Sequence, residues 1–309
     1  MAVTLRQADV FLAVADHGGF SAAADHLGMS QSAVSHTVAA LEREVRAPVL
    51  QRGPAVAPTA FGEALLPYAR AVQAAARALE ARVSREHAEA ATGTVRLAAA
   101  PTAAHRLVPG LLRRWKARLP ALDVRLFEGD DAELADWLRT GTVDAAVLID
   151  PERPHPGAVP LARDDFRAVL RRDHPLAAEP SVRLADLADD PLLVSSGGCE
   201  PQISALHALA GVPYRPAQRV HTLATLLGMA EAGLGVAVMP SLAHTMLGDG
   251  LVMVPLTPRA ERVLLLTGPA DRPWHPRVEQ LCGMVRTDAS HPAAHTAPTV
   301  PPGGVPSAV

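Results

Sequence analysis

Cysteine is scarce in this chain of 309 residues: only Cys199 and Cys282 occur, too few for a disulfide framework. Aromatic residues make up 3% of the chain. A large aromatic core is therefore excluded, and the alanine-rich apolar content favours helices packed through small side chains. Charge of one sign is also lacking. The net charge is −3, so no global basic field points to a polyanionic partner. A single lysine, Lys116, stands against twenty-eight arginines, a codon bias that carries no functional message. No apolar run reaches the ~20 residues of a membrane helix, and the opening MAVTLRQADV lacks the charged, apolar and cleavage segments of a signal peptide. A soluble, cytoplasmic protein is expected. The histidines form no metal signature: His291 and His295 have i, i+4 spacing but fall in a Pro/Ala-rich tail. Neither a metal nor a cofactor is expected.

What is present begins with helical periodicity. Leu5, Ala8, Phe11, Leu12 and Ala15 recur at helical spacing until Gly18-Gly19. Ser21 is an expected N-cap for a short second helix to Leu27, and Ser30, after the Gly28-Met29 turn, caps a third. In that third helix Val34, Val38, Leu41 and Val45 form one inward stripe, which leaves Gln31, Ser32, Ser35, His36, Ala39 and Arg43 on the opposite face. Residues 49–59 suit a small hairpin or wing. From Thr59 to about Ala91 a long helix is expected. In it Leu65, Ala69, Val72, Ala76, Leu79 and Val83 step by four and three, an a/d seam that argues for pairing with a second chain. About thirty helical residues span roughly 45 Å, too long to lie on a small domain.

Gly93 marks a change of rhythm. Strands at Val95–Ala99, Val124–Phe127 and Ala145–Ile149 alternate with helices at Ala103–Arg118 and Ala132–Thr140, the pattern of a parallel sheet covered by helices. It resumes after a Pro-rich bend. Strands are expected at Ala168–Arg171, Leu192–Ser195, Val236–Met239, Leu251–Val254 and Val263–Leu266. Helices are expected near Leu184–Leu187 and at Pro201–Leu209, Leu223–Glu231 and Arg277–Arg286. Two such lobes place a ligand cleft at their interface.

The N-terminal segment resembles the winged helix-turn-helix of LysR-type transcriptional regulators. The resemblance rests on Phe11, Ala15, Gly19-Phe20-Ser21, Ala23-Ala24, Leu27 and Ser30-Gln31-Ser32-Ala33-Val34-Ser35. It continues through Leu41-Glu42, Pro48-Val49-Leu50-Gln51-Arg52 and Thr59-Ala60-Phe61-Gly62, and Ala232-Gly233-Leu234-Gly235-Val236 through Pro240 matches a recurrent segment of the second half. Departures are Gly19, Ser32, Leu50, Phe61 and a wing that is one residue short and lacks an extra basic residue. The resemblance implies an α+β and α/β multidomain architecture. Residues 1–62 form the DNA-binding domain, residues 63–91 the dimerisation helix, and residues 92–287 a two-lobed, periplasmic-binding-protein-like effector domain. Lobe I is expected at about 92–163 and 267–287 and lobe II at about 164–266. Residues 288–309 are expected to be a disordered tail. The implied partners are double-stranded DNA, a small-molecule effector and a second copy of the chain as homodimer or homotetramer, with no membrane.

The candidate DNA contacts are Ser21, Ser30, Gln31, Ser32, Ser35, His36 and Arg52. Hydroxyls, amides and helix N-termini serve base edges and phosphates without net charge. That matters because residues 1–65 carry four arginines against six acids. The resemblance assigns the effector pocket to Thr102, Ser196 and Thr222, with Ala103, Ser195, Cys199 and His221 beside them. Glu200 already places negative charge at one of these helix starts, so a zwitterionic or neutral effector is as well suited as a carboxylate. Cys199 in SSGGCEP sits at a helix N-terminus, a position that can lower a thiol's pKa and make it redox-sensing or nucleophilic. The plain reading is a pocket-lining thiol. The alternatives to an effector-modulated regulator are a redox-sensing regulator using Cys199, a small-molecule binding protein, and an enzyme using Cys199 as nucleophile. No His–Asp pair sits at triad spacing, and no enzyme is expected.

Overall fold

The computed structural model describes residues 3–51, 53, 56–86 and 93–289. A head of three helices, α1 (Leu5–His17), α2 (Phe20–Leu27) and α3 (Gln31–Val45), is followed by a two-stranded hairpin, β1 (Leu50–Gln51) and β2 (Ala57–Pro58). The Val34, Val38 and Leu41 stripe is buried against Val10, Phe11 and Val14 of α1, while Val45 packs at its margin. Ser30 caps α3 by accepting from the Ala33 amide at 3.2 Å. Ser21 does not cap α2. Extended Gly19 holds that position without a side-chain bond, which puts Ser21 in the helix's first turn. Glu42, one of the six acids of the head, accepts the Val49 amide at 3.0 Å, so its charge anchors the wing to α3. Gly62 lies so close to the Val49 carbonyl that a Cβ would stand 2.0 Å from its oxygen, which explains why this corner requires glycine.

The long helix α4 (Ala60–Glu86) leaves the head. Its expected continuation over residues 87–91 lies outside the described residues, as does the tail at 290–309. Lobe I follows with β3 (Gly93–Ala99), α5 (Pro101–Arg106), α6 (Val108–Arg118), β4 (Leu122–Glu128), α7 (Asp131–Thr140) and β5 (Ala145–Ile149). One helix was expected where α5 and α6 stand. The break falls at Leu107 because Pro109, in the first turn of α6, has no N–H to carry the helix across. The strand β6 (Val159–Arg171) crosses to lobe II. There β7 (Val182–Arg183), β8 (Leu192–Ser195), α8 (Glu200–Ala210), β9 (Pro216–Val220), α9 (Leu223–Glu231), β10 (Val236–Pro240) and β11 (Leu251–Thr257) complete the second layer. The chain returns through β12 (Glu261–Thr267) and ends in α10 (Pro276–Ala289).

One ten-stranded sheet results, in the order β4-β3-β5-β12-β6-β10-β8-β9, with β11 on β6 and β7 on β11. β3 is parallel to β4 and β5, whereas β12 runs antiparallel to β5 and β6. The expected lobe boundary at residue 266 is therefore displaced. Leu264–Thr267 register on Ile149–Ala146, and Leu264 and Leu266 lie in the lobe I core, so β12 belongs to lobe I. The edge strand β9 had no apolar alternation to announce it, because most of Pro216–Val220 faces solvent.

Candidate functional site

The outward face of α3 stands clear of the head's core. Gln31, Ser32 and His36 are exposed and Ser35 is half-buried. The Ser30 and Ser32 hydroxyls share a hydrogen bond of 3.0 Å, which holds both side chains at the helix start. Ser21 is exposed in the first turn of α2, whose early amides have no helical acceptor. Arg52 lies outside the described residues.

Between the lobes, the loop after β8 and the start of α9 are tied together. Ser195 Oγ donates to the His221 carbonyl at 3.4 Å and accepts the Gly197 amide at 3.2 Å. The Ser196 amide and hydroxyl both donate to the Val220 carbonyl, at 2.9 and 3.3 Å. Thr222 caps α9 through the Thr225 amide at 3.2 Å. Ser195, Ser196, His221 and Thr222 thus gather on one rim of lobe II. Thr102 and Ala103 sit on lobe I but are buried, and Ala103 is packed entirely into the lobe I core. Its side chain is unavailable to a ligand, and only its backbone remains. Glu200 is not a free negative charge at the α8 start. It accepts from Arg219 Nε at 2.9 Å and from the Tyr214 hydroxyl at 2.8 Å, bonds that hold its carboxyl below the usual range.

The residues that join the lobes were not foreseen. Gln202 Nε2 on α8 donates to Asp131 Oδ2 at the start of α7 at 2.8 Å, and burial raises the Asp131 pKa despite that bond. Deeper in, Arg262 and Asp164 are cross-strand partners on β12 and β6. Their side chains are 1% and 2% exposed and bond twice, at 2.9 and 2.8 Å. The Arg262 guanidinium also lies 5.2 Å from the Phe166 ring centroid. Its Nη1 donates to Cys199 Sγ at 3.5 Å. Cys199 is the residue before α8, yet burial outweighs Arg262 and, with Asp131 and Asp164 nearby, pushes its pKa up to about 11. The thiol is protonated at neutral pH, the opposite of what a helix N-terminus alone implies. Cys282 is buried in the lobe I core, while Cys199 packs against that of lobe II, and both are free thiols.

The expected seam of α4 divides in two. Leu65 and Ala69 pack against the core of their own head, whereas Val72, Leu79 and Val83 are 47%, 67% and 49% exposed. An apolar groove of about 320 Å³ opens at the head end of this stretch, between Leu5, Leu41, Tyr68 and Val72. Among the described residues no helix is long and apolar enough to cross a membrane, and no group of three or more metal-ligating side chains occurs.

Residues 5–63 match the family described as bacterial regulatory helix-turn-helix protein, lysR family, and residues 88–290 match the LysR substrate binding domain. An uncharacterized HTH-type transcriptional regulator, YvbU of Bacillus subtilis, is 30% identical over 87% of this chain and 92% of its own. A probable hydrogen peroxide-inducible genes activator of Mycobacterium leprae is 35% identical over 75% of this chain and 76% of its own. Among solved structures, a full-length OxyR variant from Pseudomonas aeruginosa superimposes with a TM-score of 0.74 and 25% identity, covering 96% of this chain and all of that one.

Proposed function

The chain belongs to the LysR family of DNA-binding transcriptional regulators, and we propose that two of its heads, paired through α4, read DNA under the control of a small effector held between the lobes. The single observation that carries this reading is the polar, outward start of the α3 face, Gln31 to His36, beside its capped N-terminus. Ser30, Gln31, Ser32, Ser35 and His36 meet base edges and phosphates, and the first-turn amide of Ser21 meets a phosphate. The effector engages the lobe II rim of Ser195, Ser196, Cys199, His221 and Thr222 and, from lobe I, Thr102 and the Ala103 backbone. Binding favours one arrangement of a pre-existing equilibrium. Such a regulator acts in the cytoplasm, where its DNA lies. Selection from random DNA with the purified protein is expected to enrich two half-sites about 34–36 Å apart, or a multiple of that spacing. Because the head is poor in cations, the salt dependence corresponds to fewer than about ten phosphates per dimer at ~0.9 per phosphate. Enrichment of single, unpaired sites would refute the paired reading.

A second reading is supported by the Arg262–Cys199 contact of 3.5 Å and by the peroxide-responsive relatives. In it Cys199 senses oxidant: the thiol gives up its proton, the thiolate sulfur attacks one oxygen of hydrogen peroxide, the O–O bond breaks, and the departing hydroxide takes up the proton as water, leaving Cys–SOH. With Cys282 sequestered in the other lobe's core, the product is a sulfenic acid rather than an internal disulfide. A thiol pushed up to about 11 carries little thiolate at pH 7. Alkylation of Cys199 by iodoacetamide, followed by mass spectrometry, is therefore expected to be slow at pH 7. Its rate should rise about tenfold per pH unit until near pH 11. A rate already level at pH 7 would contradict the half-buried, protonated thiol. Peroxide treatment is expected to add one oxygen to Cys199. A Cys199–Cys282 disulfide in its place would contradict the separation of the two thiols.

A further inference from the structure

Lobe II holds a cavity away from the rim assigned to the effector. It measures about 160 Å³ and lies between the single-turn helix Leu184–Leu187, β8, α8 and β10. Leu184, Leu187, Leu192, Val236 and Val238 form its walls, and all five are buried in the lobe II core. One buried polar side chain interrupts this apolar lining. His207, in the last turn of α8, is 5% exposed and faces the cavity. Its Nδ1 donates to the Ile203 carbonyl at 2.8 Å, one turn back along the helix, and the Tyr214 ring meets the imidazole in a T-shaped contact at 5.3 Å. These two contacts fix the ring's orientation. A carbonyl only accepts, so Nδ1 carries the proton, and Nε2 of the neutral ring is an acceptor. No group among the described residues donates to Nε2. Nor is Nε2 sealed within the protein, so it opens on the space that the ring lines.

Half-buried Asp190 and exposed Arg215 stand at the mouth. Their charges are opposite, and Asp190 already faces His174 at 3.4 Å, so the mouth selects neither an anion nor a cation. A volume of this size holds about five waters at ~30 Å³ each, and each needs two to four polar partners. The walls give them one acceptor, so water there is poorly bonded and readily displaced. Apolar cavities of about 150 Å³ take benzene. An acceptor set in such a wall adds a requirement for one donor on the ligand, and a rigid ring gives up no rotamer freedom on entry, unlike a chain alcohol of equal volume. We propose that this cavity binds a neutral, single-ring aromatic alcohol, phenol being the simplest. The ring lies among the leucines and valines, and the hydroxyl donates to His207 Nε2.

The test is a ligand-observed NMR titration of the full chain with phenol and, separately, with benzene in sealed tubes. Saturable binding of phenol to the wild type is expected, with a dissociation constant of about 1 mM or tighter. His207→Phe keeps the ring and its contact with Tyr214 and removes the acceptor. In that variant the preference for phenol over benzene is expected to fall about fivefold, the net contribution of one hydrogen bond. A histidine that served the fold alone would weaken both ligands alike. Val238→Phe fills the cavity from its wall and is expected to abolish binding of both, whereas Ser196→Ala, on the inter-lobe rim, leaves both unchanged. Saturable binding with a preference that depends on His207 supports the site even where Val238→Phe does not fold. No saturable phenol binding, an unchanged preference in His207→Phe, or a loss in Ser196→Ala that a folded Val238→Phe does not share overturns it.

Discussion

Asp164→Ala is expected to cost about 3–5 kcal/mol of stability in chemical denaturation, because it strands the Arg262 guanidinium at 1% exposure without its carboxylate. Burial opposes the charged form of Arg262, and the Asp164 bonds lead the interactions that raise its pKa above the ordinary value, with Cys199 and Asp131 adding to them. The pair is costly to break but not costly to replace. Asp164→Leu combined with Arg262→Met is expected to recover most of the loss, since apolar residues of similar size remove both charges together. The same variants report on Cys199. With Arg262 gone, its sulfur loses the guanidinium that bonds it, and its alkylation is expected to slow further. A loss below about 1 kcal/mol for Asp164→Ala would mean that water reaches the pair.

The second large effect belongs to α4. Val72 and Leu79 are exposed on the half of the seam that the head does not use. Val72→Glu/Leu79→Glu places like charges where two helices are proposed to meet. The double variant is expected to sediment as a monomer while its fold is unchanged. Its affinity for a two-half-site DNA should fall by roughly 10²–10⁴, because the second head no longer binds at high effective concentration. A dimer of unchanged DNA affinity would move the interface elsewhere.

Much of this architecture was legible in the residues. The four-three spacing of Val34, Val38 and Leu41 put the core face of α3 where it lies, and glycines at positive φ end α1, α2 and α8 at Gly18, Gly28 and Gly211. The periodicity of α4 marks an apolar stripe, but it does not show that Leu65 and Ala69 serve the head while Leu79 does not. That division depends on where the helix meets a neighbour far away in sequence. The inter-lobe chemistry was harder to see. Arg262 shares a strand face with Leu264 and Leu266, and Asp164 shares one with Phe166 and Ala168. A charge on an apolar face is a signal that some opposite charge is buried beside it. Only the register of β12 on β6 says which. Cys199 illustrates a conflict between local and tertiary effects. Its helix position argues for an acidic thiol, and the lobe II core around it reverses the sign.

The head carries more acids than arginines and still has a polyanion to hold. Part of the answer is that Glu42 is bound to wing amides and Asp16 to Arg70, so these acids are engaged within the protein. The rest is the proposal that helix starts, hydroxyls and pairing supply the affinity. The most direct measurement is footprinting of the purified protein on the intergenic DNA beside its own gene, begun at low salt where phosphate contacts are strongest. Two protected segments about one helical turn apart, or a multiple of it, are the result expected of paired heads reading through α3. An absence of protection at low salt would contradict the account.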